Sequence, residues 1–383
     1  MLSETIGKIV CFLAFTLCLF LTACGGVAHQ QSQEIGDTLN LKYAENIEIV
    51  RYHDYNVVTL SDPWHDGRIL DTYVLVDRKD SAKIVSLPQG HVIYTPVQSC
   101  VVFTSPHCQL LQWFGAEEKI KGVCDLKYMN VSYIKKNVAD GNIMDCGDGM
   151  MPDKEKIVEL NPQIILSSPY ENKNDLLSHN DGTQVVACAD YMETSALGRA
   201  EWMKFYGMLF GCEHKADSLF HVVDSCYNSL KTIARNAIST RSVLTERKTG
   251  AVWYCPGGRS STAKLIADAN GRYVFADDEH SGSLALSPEH VLDKAGDACV
   301  WLFMYNKPSD VSRQNLISEF GGYVNIKAYR IGNVFGCNSM VKPYFEEMSF
   351  RPDYVLKDLI QIIHPELKTG KLRYYDRISA YWK

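Results

Sequence analysis

The chain has 383 residues, 46% hydrophobic and 22% charged, a globular composition long enough for two domains. This excludes wholesale disorder, a collagen-like repeat and a many-span membrane protein. With 45 acidic against 39 basic residues and a net charge of -6, there is no basic excess to hold a phosphate backbone, so no nucleic acid partner is expected. The 21 Tyr, 14 Phe and 6 Trp say more, because such rings fill a core or line a site for a large, partly apolar ligand.

The chain opens with Lys8, an apolar run from Ile9 to Phe20, and then Leu21-Thr22-Ala23-Cys24-Gly25. The run is shorter than the roughly 20 residues a bilayer crossing needs, and its order of charge, apolar stretch and small residues is that of a secretory signal. A small residue before Cys24 resembles the bacterial lipobox, which implies a lipid on Cys24 and a signal peptide over residues 1–24. The polar stretch that follows reads as a flexible tether over residues 25–46. Of the 13 cysteines, Cys11 and Cys18 leave with the signal and Cys24 takes the lipid. The remaining ten are scattered, with no C-x-x-C, and several sit in apolar runs, so they read as buried small hydrophobes.

Residues 47–95 alternate apolar and polar groups around the turn-rich Ser61–Gly67 and predict a β-hairpin or small meander. From His91 the pattern becomes strand then helix. Strands are expected at Val92–Tyr94, Val101–Phe103, Ile120–Val123, Gln163–Ser168 and Val185–Cys188, and helices at Cys108–Gly115 and Pro152–Leu160. Such alternation implies a parallel sheet covered on both faces. One helix is expected from Ala196 to Phe210, with Gly211 as its C-cap. A second should run from Glu213 to Ala237, with Leu219, Val222, Val223, Cys226, Leu230 and Ile233 on its apolar side. About 24 residues of helix span roughly 36 Å, enough to cross between two lobes. Alternation then resumes through Ala251–Tyr254, Thr262–Ala269, Val291 and Cys299–Phe303, and a last helix ends at His364-Pro365. The segments Asp153–Leu166 and Ser287–Val300 echo each other as helix, turn and strand, which makes Glu155 and Glu289 equivalent points near two helix starts.

The order of these features carries a resemblance. A lipobox, an α/β lobe, a long helix and a second α/β lobe occur with Asn161-Pro162-Gln163-Ile164-Ile165-Leu166, Leu197-Gly198-Arg199-Ala200-Glu201-Trp202, Pro256-Gly257-Gly258-Arg259-Ser260 and Ile363-His364-Pro365-Glu366-Leu367. Together they resemble the helix-linked substrate-binding lipoproteins of iron-chelate and cobalamin ABC importers, in particular the branch found in Bacteroides-type bacteria. The resemblance implies an α/β fold of two Rossmann-like lobes joined by one long α-helix, with the ligand cleft between them. The divisions are an N-terminal lobe at 47–195 with its leading hairpin, a helical linker at 196–238 and a C-terminal lobe at 239–383. It implies a lipid-anchored, monomeric protein of the cell envelope that hands its ligand to a permease coupled to a cytoplasmic ATPase. It also implies that Glu155 and Glu289 dock onto that permease.

Ligand contacts are expected on loops at the carboxyl ends of the strands, the usual crevice of open α/β sheets. This nominates His107, Tyr128 and Tyr170 in the first lobe, beside the Asp148–Met151 loop. In the second lobe it nominates Tyr254, Gly257, Gly258, Arg259, Ser260, Asn338 and Tyr344. Tyr254 matches a position where the family presents a ring to its ligand. The Arg259 fork suits the carboxylates of a siderophore or haem, and the Gly-Gly turn could offer N–H groups to an anion. No cofactor and no protein-held metal are expected, because the 11 His show no ligand spacing, and a metal would arrive already chelated. No G-x-S-x-G, Walker loop or G-x-G-x-x-G speaks for an enzyme. The expected ligand is an iron chelate (siderophore or haem). The alternatives are cobalamin, a chelatase-like enzyme sharing the architecture, and a surface lipoprotein that serves a receptor.

Overall fold

The computed structural model describes residues 36–81, 86–170 and 182–379. The signal segment, Cys24 and the first part of the expected tether lie outside the described residues. The chain from Thr38 onward forms one unit.

The leading sheet contains β1 (Ile47–Arg51), β2 (Tyr55–Ser61), β3 (Ile69–Asp77) and β4 (His91–Thr95), paired in that order. The first two pairings are antiparallel, and β3 with β4 is parallel. One face supplies Ile49, Val58, Leu60, Tyr73 and Leu75 to the core, which is what period-two alternation requires. The expected meander thus gains a parallel fourth strand.

The first lobe follows, with β5 (Cys100–Val102), α1 (Ser105–Phe114), β6 (Ile120–Val123), α2 (Ser132–Ala139), β7 (Met144–Asp145), α3 (Lys154–Leu160), β8 (Ile164–Ser167) and β9 (Gln184–Ala187). Its sheet runs β9-β8-β5-β6-β7 and is parallel throughout. Residues from Cys100 to Val102 and from Ile164 to Leu166 are fully buried, because helices cover both faces. Local chemistry sets the helix ends. Pro106 opens α1, left-handed Gly115 closes it, and the Asp153 side chain caps α3.

The helix expected from 196 to 210 is two helices, α4 (Ala196–Glu201) and α5 (Met203–Phe210). They meet at Trp202, whose buried ring donates to Glu193 at 2.8 Å. Gly211 caps α5 in the left-handed conformation. The linking helix α6 (Glu213–Arg235) has 23 residues, a span of about 35 Å. Near its start Lys215 donates to the Phe114 carbonyl in the first lobe. Near its end Tyr227 and Lys231 reach Asp268, and the Ala234 carbonyl accepts from Asn270 in the second.

The second lobe contains β10 (Ser242–Thr245), β11 (Val252–Pro256), α7 (Ser261–Asp268), β12 (Arg272–Tyr273), β13 (Ser283–Leu286), α8 (Pro288–Ala295), β14 (Val300–Tyr305), α9 (Arg313–Glu319), β15 (Val334–Asn338), α10 (Tyr344–Glu347), α11 (Pro352–Ile363) and β16 (Asp376–Arg377). Its main sheet runs β12-β10-β14-β15-β16, parallel except at the last pair, while β11 and β13 form a separate antiparallel ribbon. The helix-turn-strand echo holds, with α3 leading into β8 and α8 into β14.

The tether expected to reach residue 46 ends sooner. Backbone N–H groups of Lys42, Tyr43 and Ala44 donate to the Glu201 carboxylate, and those of Glu45 and Asn46 donate to Glu193. Both carboxylates are buried, so this strap is part of the fold. All ten described cysteines are free thiols, seven of them buried, in keeping with their apolar surroundings.

Candidate functional site

A cleft of about 510 Å³ opens where the carboxyl ends of both sheets face each other. Phe103 to Pro106 follow β5, and Asp125, Tyr128 and Met129 follow β6. The second lobe supplies Asn306 after β14 and Ser339 after β15, while Phe345, Met348 and Ser349 come from α10 and its exit. Arg199 enters from α4. The volume lies within the usual range for small-molecule pockets. The lobes also touch at the cleft base, where the Asn130 N–H donates to Glu346 at 2.7 Å and Phe350 packs edge-on against His107 and Tyr206.

A buried polar cluster stands behind Arg199. Asp190, 1% exposed, accepts from His107 Nε2 at 3.1 Å, Tyr206 Oη at 2.9 Å and Arg199 Nε at 3.1 Å. The other ring nitrogen of His107 bonds to the Thr104 hydroxyl. Burial alone would strip the proton from His107, but the Cys188 sulfur and the Asp190 carboxylate outweigh it and raise its pKa to about 10. Burial likewise opposes the charge on Asp190, yet His107 and Arg199 hold its carboxyl below the usual carboxylate range.

Among the residues nominated from sequence, Tyr128 lines the cleft and is 66% exposed. His107 is a core residue, one layer behind the wall. Asn338 is also buried and braces its loop, donating to the Lys307 carbonyl and accepting from the Lys307 and Met340 N–H groups. Tyr344 packs among Tyr374, Tyr375 and Phe345 beside a separate cavity of about 50 Å³. Tyr170 and Tyr254 are exposed but do not line the cleft. Arg259 is exposed and pairs with Glu279 at 3.4 Å, again outside the cleft.

The Gly-Gly turn has a structural use. A Cβ on Gly257 or Gly258 would lie 2.2 Å from the His280 carbonyl oxygen or 2.3 Å from that of Asp278. The N–H groups of Gly257, Arg259 and Ser260 all donate within the protein, and the Ser260 hydroxyl caps α7. They are therefore not arrayed toward an anion. Arg199, Asp125, Phe345, Met348 and Ser349 were missed. Of these, only Asp125, directly after the strand Ile120–Val123, could have been found from strand-end position. Among the described residues no group of three or more His, Cys, Asp or Glu is placed to hold a metal ion.

The match to known proteins decides the family. Residues 101–341, most of the chain, match the family model described as "Periplasmic binding protein". The chain belongs to the periplasmic binding protein family. An uncharacterized lipoprotein of Methanocaldococcus jannaschii is 29% identical, over 88% of this chain and 84% of that protein. Among solved structures, this periplasmic binding protein is similar to a possible iron-binding periplasmic protein of Staphylococcus epidermidis (TM-score 0.56, 19% identity, 70% of this chain and 100% of that one). It is also similar to a periplasmic heme-binding protein of Pseudomonas aeruginosa (TM-score 0.58, 15% identity, 74% and 98%). The two-lobed α/β fold is shared with these structures. By its family this is a binding protein rather than an enzyme.

Proposed function

We propose that the protein is the lipid-anchored, extracytoplasmic receptor of an ABC importer and that it captures an iron chelate, siderophore or haem, for delivery to the membrane permease. The supporting observation is the interlobe cleft, whose wall draws rings and thioethers (Phe103, Met129, Phe345, Met348) and hydroxyls (Ser105, Ser339, Ser349) from both lobes. A bulky, partly apolar guest suits such a lining. The iron and haem proteins with the same fold support the choice of chelate. The proposed attachment is a lipid on Cys24; no helix among the described residues is long and apolar enough to cross a membrane.

Glu155 and Glu289 are the proposed docking points. Each is exposed in the first turn of a helix, α3 or α8, that returns across a sheet toward the start of the next strand. Their first turns therefore lie toward the carboxyl edges, where the cleft opens. Neither carboxylate has a partner among the described residues, which leaves both free to meet permease cations. Cobalamin is the second reading, favoured by a lining that carries one cation and one anion and suits a near-neutral guest.

Absorption titration of the purified protein with haem, ferric siderophores and cobalamin tests the ligand. A saturable one-to-one change with an iron chelate is expected, and saturation by none of them would refute the reading. Charge reversal at Glu155 and Glu289 should abolish uptake and leave binding intact.

A further inference from the structure

The charges of the cleft wall narrow the chelate class, an inference that rests on the chelate reading above. Arg199 is the one cation on the wall and Asp125 the one anion. Arg199 spends its Nε–H on buried Asp190, and its two Nη groups have no partner among the described residues. The fork is thus held by one end and open at the other. Asp190 is in turn fixed by His107 and Tyr206, so the direction of the Arg199 side chain is set from behind.

Asp125 is built into place as well. It is a non-glycine residue with φ 56, a left-handed conformation that costs roughly 1–2 kcal/mol and tends to persist at functional positions. Its N–H donates to the Gly147 carbonyl at 2.7 Å. A Cβ on Gly149 would sit 2.6 Å from Asp125 Oδ2, so glycine there makes room for the carboxylate. Charges beside the wall residues in the chain include Lys127 paired with Asp148, Arg351 with Asp353 and Glu347 with Arg373, while Lys307, next to Asn306, is exposed with no ion pair among the described residues. Glu346 is buried and accepts the Asn130 N–H.

We infer that the cleft selects a charge-balanced metal chelate, with an oxygen acceptor of the guest against Arg199 and an N–H or O–H donor against Asp125. Polyanionic chelates are rejected by the same arrangement. A trianionic guest would find a single open cation on the wall itself and would bring its excess charge beside an unneutralised carboxylate. The remainder of the wall, hydroxyls, one amide and apolar groups, carries no charge to compensate it.

Four probes test this: a neutral ferric trihydroxamate, cyanocobalamin, a trianionic ferric tricatecholate, and haem with its two propionates. Equilibrium titration of the full chain should find a neutral probe tightest, by about tenfold or more. Arg199→Met should weaken that probe by about tenfold or more, while Asp125→Asn should improve the anionic probes and narrow the gap. Wild-type melting temperatures would show that both variants fold, and the two substitutions touch different lobe elements. Tightest binding of the tricatecholate or haem overturns charge selection and leaves the chelate reading standing. Saturable binding of none of the four overturns both.

Discussion

Two acid–base sites make stability fall with rising pH, over different windows. His107 has a pKa raised from 6.5 to about 10, so the stability it contributes is complete below 6.5 and lost as pH climbs through about 10. Its partner Asp190 is lowered, so that contribution is present above the ordinary carboxylate range and lost as pH falls through the lower folded value. His107→Ala should cost about 3 kcal/mol at neutral pH, and denaturant titrations should find that penalty shrinking toward pH 10. An equal penalty at both pH values would show that His107 acts by packing alone. At Glu246 the loss comes at lower pH, and the form that burial favours is the neutral one. Burial drives its carboxyl from 4.5 up to about 7, against the Met304 N–H and Arg247. Its favourable contribution is therefore full below 4.5 and gone once pH has risen through about 7. Glu246→Gln should stabilise the protein above that pH, on the order of 2 kcal/mol, and bring no gain in acid. Thermal melts at the two extremes separate these outcomes.

Elements buried on both faces were the most legible, because a run such as Ile164-Ile165-Leu166 admits few other readings. The break at Trp202 was not legible. Its ring fits a helical pattern, and the contact it makes with Glu193 is one that periodicity does not register. The strap was equally hidden, since the carboxylates that grip residues 42–46 lie about 150 positions further on. Glu201→Ala would strand three N–H groups and should cost about 3 kcal/mol in chemical denaturation. A change below about 0.5 kcal/mol would mean that water replaces the carboxylate without loss. Gly258→Ala would press a Cβ against three carbonyl oxygens within 2.7 Å. It should destabilise by about 2–3 kcal/mol with or without ligand. A loss of ligand affinity at unchanged stability would restore the turn to the binding site.

At the scale of the molecule, the sequence indicated where the cleft must lie but few of the side chains that line it. Strand ends can be counted along a chain, and they point to the correct crevice. Which strand-end residue faces inward depends on rotation and on distant partners. Arg259 and Arg199 show the difference. The first sits on a conspicuous glycine turn and faces solvent with Glu279, whereas the second lies in an ordinary helix and is aimed by Asp190. His107 looked like a ligand contact because it follows a strand, but it serves to hold that aim.

The most direct test of the account is a structure of the protein loaded with its tightest chelate. The guest should lie between Tyr128 and Phe345, touching both lobes and within hydrogen-bond reach of the free end of Arg199. Density for the guest on the Tyr254–Arg259 surface, or on one lobe alone, would contradict the account.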